Sequence, residues 1–130
     1  MSRQALILFA HGARNPQWRE PLERLRALLV ARAPALRVEV AFLELLEPVL
    51  ADAIDMVVAA GARDITVVPV FIARSGHLLR DVPPLLDAAR ERHPGCTLRM
   101  TEPVGESDIV LAAMADYALA ETDAASDGAS

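Results

Sequence analysis

The chain has 130 residues, enough for one domain with a real hydrophobic core and too few for two complete domains. Hydrophobic residues make up 53% and aromatics only 4%, so the core must be built from Ala, Val, Leu and Ile, a palette that suits helices packed on a parallel sheet. The net charge of −5 argues against a nucleic-acid surface, and because every basic residue is arginine, lysine Schiff-base chemistry and the phosphate-binding lysine of a P-loop are both excluded.

The N-terminal run Met1 to Phe9 is apolar but too short for a secretory signal, and His11-Gly12-Ala13-Arg14 breaks it. Gln4 to Ala10 reads as a buried strand ending in a tight turn. Asn15 is a candidate N-cap and Pro16 suits a first helical turn; Trp18, Leu22, Leu25, Leu28 and Leu29 then recur at helical spacing to about Ala33, where Pro34 stops the helix. Leu36 to Leu43 is a second strand with Val38, Val40 and Phe42 in alternation, closing in Glu44. Glu47-Pro48 opens a second helix through Ala60, with Leu50, Ile54, Val57 and Val58 on one side and Gly61 as its C-cap. Arg63 to Phe71 is the most β-branched stretch and forms the third strand, Pro69 marking its end or an irregularity.

Ala73 to His77 reads as a loop. A third helix runs from about Leu78 or Asp81 to Arg92, with Pro83 and Pro84 tolerable only in its first turn. Thr97 to Thr101 is a short fourth strand, and Asp108 to Leu119 the last helix. Beyond Glu121 no core-forming residue remains, so 1–121 is expected to be a single α/β domain and 122–130 a disordered tail. No apolar stretch approaches the ~20 residues needed to span a bilayer, and the lone Cys96 forms no internal disulfide. A soluble protein of the reducing cytoplasm is expected, with no membrane partner. Four alternations of strand and helix predict a doubly wound parallel sheet, order 2-1-3-4, a flavodoxin-like half with helices on both faces.

In such sheets ligands bind beyond the carboxyl ends of the strands, where the strand order reverses. His11 follows the first strand, Glu44 the second and Arg74-Ser75-Gly76-His77 the third. With strands about 4.8 Å apart, His11, Glu44 and His77 would fall within about 10 Å of one another. Two imidazoles and a carboxylate suit Zn, Fe or Co, and histidine also accepts protons near neutrality. A lone histidine at a strand end is more often a turn or capping residue; two at adjacent ends favour a site. Glu47 is more simply a helix N-terminal carboxylate, and His93 a partner of a helix C-terminus. Arg14, Arg74 and Arg80 either ring the opening, where their forks would pair with carboxylates of an acidic small molecule, or are solvated loop charges. Cys96, Met56, Met100 and Met114 read as packing residues.

The segment Ala5 to Pro16, which contains His11-Gly12, resembles the opening of the short sirohydrochlorin cobaltochelatases (CbiX type) and the sirohydrochlorin ferrochelatases, of the class II chelatase superfamily. The likeness continues through Val40 to Leu45, Glu47-Pro48, Gly61-Ala62-Arg63, Val67 to Phe71 and Gly76-His77 to Pro83, covering about residues 5 to 119. It implies a chelatase that inserts Co²⁺ or Fe²⁺ (Ni²⁺ remaining open) into sirohydrochlorin, in cobalamin or siroheme biosynthesis, without ATP or an organic cofactor. By position, His11 and His77 would bind metal and accept protons, Glu44 would be the supporting carboxylate, and Arg14, Arg74, Ser75, Gly76 and Arg80 would face the tetrapyrrole. Short members look like half of longer, two-domain chelatases and are expected to pair as homodimers. Ala13 departs from the serine of many relatives, and the tail lacks the histidine-rich tract that some carry. A non-catalytic metal or tetrapyrrole carrier of the same fold is the alternative, separable only by turnover.

Overall fold

Apolar alternation in the four strand segments produces one parallel sheet in the computed structural model of the chain, which describes residues 3–73 and 76–122, the side chains of 77 and 79 excepted. The strands are β1 (Gln4–Ala10), β2 (Arg37–Phe42), β3 (Asp64–Pro69) and β4 (Thr97–Met100), in the order β2-β1-β3-β4. That is the expected order. Leu8 on β1 lies between Val40 of β2 and Val68 of β3. The helices are α1 (Glu20–Arg32), α2 (Leu50–Ala59), α3 (Gly76–Arg92) and α4 (Asp108–Ala120), with short 3₁₀ turns at Pro16–Arg19 and Val104–Glu106.

Because successive strand residues point to opposite faces, the core divides in two. Ala5, Ile7, Phe9, Ala41, Ile65 and Val67 pack under α2 and α3, while Leu8, Val38, Val40 and Phe42 pack with Leu22 of α1. Burial of each such Leu, Ile, Val or Phe contributes about 1.5–3 kcal/mol. With α1 on one face and α2 and α3 on the other, the winding reverses beside β1, and the carboxyl end of β1 becomes the switch point.

Three elements depart from the sequence reading. The first helix is split, because Pro21 has no N–H to give residue 17, and the α-helix restarts with that proline in its first turn. Asn15 does cap the preceding 3₁₀ turn, its Oδ1 accepting from the Gln17 amide at 2.9 Å. The tighter turn carries Trp18 off the apolar stripe, leaving it 67% exposed. Second, α2 begins at Leu50, later than Glu47, because Val49 is still extended and bridges Phe42. Gly61 ends α2 as expected, with φ +107 and the Ala62 amide donating to the Val57 carbonyl. Third, α3 already begins at Gly76, so Gly76 and His77 belong to its first turn instead of a loop, and Pro83 and Pro84 fall inside the helix. The helix passes through both prolines because Leu78, Val82, Leu86 and Ala89 form one buried stripe on the sheet. Packing along that stripe outweighs the two missing backbone hydrogen bonds.

Met100 packs on the core, whereas Met56 and Met114 are exposed. Among the described residues no helix is long and apolar enough to cross a membrane. The expected tail lies outside the described residues from 123 onward.

His93 follows α3, but its partner is a side chain: Nε2 lies 2.6 Å from Asp55 Oδ1 on α2, and Arg92 reaches the same oxygen at 3.0 Å. Partial burial pushes the Asp55 carboxyl up, yet the hydrogen bonds and charges of His93 and Arg92 hold it below its ordinary value of 3.8. A carboxyl depressed in the fold stabilises above its unfolded pKa and loses that contribution as pH falls through the folded value. Asp55→Asn should therefore cost about 1 kcal/mol at neutral pH for this partly buried contact. Urea unfolding should show the difference from the parent shrinking below pH 3.8.

Candidate functional site

The strands stay in contact beyond their formal ends. The Val70 amide donates to the Phe9 carbonyl at 2.7 Å, the Leu43 amide to Ala10 at 2.9 Å and the Glu44 amide to His11 at 3.2 Å. His11 and Gly12 are thereby held between the segments leaving β2 and β3. Gly12 adopts φ +93, and a Cβ there would lie 1.8 Å from the Glu44 carbonyl oxygen. Only glycine fits. The backbone of residue 12 thus fixes where Glu44 leaves the sheet and where the exposed His11 ring begins.

That ring packs on Phe71, with centroids 4.8 Å apart and planes tilted by 51°, and Phe71 meets Phe9 edge-on at 5.6 Å. The imidazole is therefore braced from beneath while its outer side faces solvent. Beside it opens a pocket of about 450 Å³ whose walls include Trp18, Leu22, Phe42, Val70 and Ile72. The Arg19 guanidinium stacks 4.9 Å from the Phe42 ring and donates to the Glu47 carbonyl, tying the 3₁₀ turn that carries Trp18 to the loop after β2. An imidazole at the mouth of a mainly apolar pocket offers a ring nitrogen that can bind a borderline divalent cation.

The sequence-derived residues distribute unevenly. His11 and Glu44 meet through their backbones at the switch point, and both side chains are exposed. Arg14 is exposed just beyond them. His77 and Gly76 occupy the first turn of α3, after β3, but the His77 side chain is outside the described residues, as are Arg74 and Ser75 entirely. Arg80 projects from α3 into solvent, 3.8 Å from Asp81. Among the described residues no three potential metal ligands converge.

Phe71, Trp18 and Gly105 were not legible as site residues. Gly105 donates its amide to the Phe71 carbonyl at 2.9 Å, and a Cβ on it would lie 1.7 Å from the Ile72 carbonyl oxygen. It pins the turn after β4 across the segment that carries Phe71. An isolated glycine after a strand hints at close backbone approach, without naming the partner.

The profile of the CbiX family matches residues 5–121. The sirohydrochlorin cobaltochelatase of Methanocaldococcus jannaschii is 37% identical over 90 residues, 69% of this chain and 63% of that protein. The chain thus spans less than two thirds of the length of this curated relative. The crystal structure of a CbiX protein from Marinobacter aquaeolei VT8 superposes with a TM-score of 0.77 at 32% identity, covering 91% of this chain and 96% of that one. The sirohydrochlorin chelatase SirB from Bacillus subtilis subspecies spizizenii, in complex with cobalt, gives a TM-score of 0.71 at 27% identity, covering 82% of this chain and 46% of that one.

The glycine between the two loops is the sharpest test of this geometry. Gly12→Ala should lower unfolding stability by about 1–3 kcal/mol, measured by chemical denaturation. The His11 imidazole should also change its surroundings, read as a shifted ring resonance in NMR; a variant as stable as the parent would contradict the close approach.

Proposed function

The chain belongs to the CbiX family, and we propose that it is a chelatase inserting Co²⁺ or Fe²⁺ into sirohydrochlorin. The observation that carries this reading is His11 itself, an exposed imidazole braced on Phe71 at the sheet's switch point and opening onto a mainly apolar pocket. The relatives' chemistry supports it, since they are sirohydrochlorin cobaltochelatases and ferrochelatases, one crystallised with cobalt and one with Fe³⁺.

The metal ion is substrate, and the tetrapyrrole supplies the nitrogens that finally hold it. Insertion of a divalent cation displaces the two inner N–H protons of the macrocycle, the other two ring nitrogens having none to lose, and an imidazole of His11 or His77 receives a departing proton. Before that step the two imidazoles guide the incoming cation, with Glu44 as the supporting carboxylate. Trp18, Phe42 and Phe71 line apolar surface against which a flat macrocycle packs. Arg14, Arg74 and Arg80, with Ser75 and Gly76 in the same region, would orient the peripheral carboxylates; Arg80 must then exchange Asp81 for substrate.

The same reading makes residues up to 121 a single catalytic domain, with 122–130 outside it. The product would serve cobalamin or siroheme formation in the cytoplasm. No organic cofactor and no nucleic-acid or membrane partner enters the scheme. Two copies are proposed to pair, so that two pockets together enclose the macrocycle.

Metal insertion should be followed by absorbance with purified protein, sirohydrochlorin and Co²⁺, Fe²⁺ or Ni²⁺ in turn, against a no-enzyme control. His11→Ala and His77→Ala should each slow it by about 100-fold or more, the usual worth of a positioned proton acceptor. Parent-level rates in both variants would reject the assignment. Tight binding of metal and tetrapyrrole with no acceleration would make the protein a carrier.

A further inference from the structure

Between β2 and α2 the chain crosses from one face of the sheet to the other. Leu43 packs against the core cluster under α2 and α3, whereas Leu46 packs against the cluster that contains Leu22 of α1. Glu44 and Leu45 lie between these anchors and must reverse the chain there. The reversal closes with the Leu46 amide donating to the Glu44 carbonyl at 2.8 Å. Leu45 takes φ +71, the only positive value outside glycine among the described residues. That hydrogen bond with that φ is the rare, strained form of γ-turn, and a residue with a Cβ resists it. Burial does not offset the strain, because Leu45 is 61% exposed.

The strain sits beside the candidate carboxylate and is held from outside. The Glu44 amide donates to the His11 carbonyl at 3.2 Å, and the Glu44 carbonyl stands where a Cβ on Gly12 would be. These contacts fix the near side of the turn. On the far side the Phe42 amide donates to the Pro48 carbonyl at 2.9 Å, and Arg19 reaches across from its 3₁₀ turn. The Arg19 guanidinium donates to the Glu47 carbonyl and lies 4.9 Å over the Phe42 ring. Leu46 is only partly buried, so its packing alone is a weak hold.

We propose that Arg19 is a positioning residue: it holds the strained turn at Leu45 and thereby aims the Glu44 carboxylate at the opening beside His11. The inference rests on the role given to Glu44 under the proposed function and extends it to a side chain that acts through the backbone. Strained backbone persists only where its surroundings over-determine it. Without Arg19 the peptide between Glu44 and Leu45 can rotate until Leu45 regains a negative φ, and the Glu44 side chain moves with it. Two other roles fit Arg19 less well. A fork that received a substrate carboxylate would have to leave the Glu47 carbonyl, and a purely structural tie would be indifferent to the residue at position 45.

That indifference is what a double-substitution cycle on the full chain tests. Glycine has no Cβ to resist a positive φ, so Leu45→Gly keeps the turn without needing it held. Arg19→Ala should lower kcat for Co²⁺ insertion into sirohydrochlorin about 10-fold, with KM for sirohydrochlorin changed less than about 2-fold. In a Leu45→Gly background the same substitution should lower kcat by no more than about 2-fold. Deuterium exchange gives a readout apart from activity: the Leu46 amide should exchange faster in Arg19→Ala, and adding Leu45→Gly should restore its protection. Circular dichroism should match the parent throughout.

An equal loss from Arg19→Ala in both backgrounds would overturn the proposal. So would a raised KM with kcat retained, which would make Arg19 a substrate contact, or Glu44→Gln working at the parent rate. A slow Glu44→Gln beside a parent-rate Arg19→Ala would reject the positioning role and leave the chelatase reading standing. No insertion by the parent chain would reject the chelatase reading, and the Leu46 exchange would still decide whether Arg19 holds the turn.

Discussion

The peptide at Gly12 runs against the carbonyl of Glu44 with no space for a side-chain carbon, and the candidate site depends on that contact. It arises because β1 lies between β2 and β3, so the chain leaving β1 has neighbours on both sides. On one side the amides of Leu43 and Glu44 reach back to Ala10 and His11; on the other, the Val70 amide reaches Phe9. A bulkier residue at position 12 would force those loops apart and separate the His11 ring from Phe71. The glycine is thus a positional requirement of the imidazole beside it.

Much of this was readable in the amino acids. Val38, Val40 and Phe42 alternate as a strand must, and β-branched residues concentrate in β3, so the strand segments and their order could be inferred from patterning and crossover rules. His11 and Glu44 follow from the same rule, because function gathers at the carboxyl ends of parallel strands. Local signals failed where distant packing decided the outcome. Pro83 and Pro84 argue locally for a helix start, yet the stripe Leu78, Val82, Leu86 and Ala89 carries the helix through them. Trp18 has helical spacing, but the 3₁₀ turn rotates it outward. Nothing near Phe71 announces that a histidine sixty positions away in sequence will rest on it.

His93 illustrates the same limit in polar form. Its position after α3 suggests a helix-dipole partner, and only the approach of α2 reveals Asp55 at 2.6 Å. That contact and the neighbouring Arg92–Asp55 pair join two helices that already share the buried face of the sheet. Ion pairs of this exposure contribute little; the apolar layer beneath supplies most of the cohesion, and the polar groups set how the two helices end against each other.

A 53% hydrophobic composition invites the inference that all of it serves one core. The chain divides it differently. Phe9, Ile7, Ile54 and Ile65 are sealed between sheet and helices, whereas Ile109, Met114, Tyr117 and Leu119 stand in water on a helix with no buried residue. Exposed apolar surface of that extent is costly in a monomer and is commonly an interaction surface.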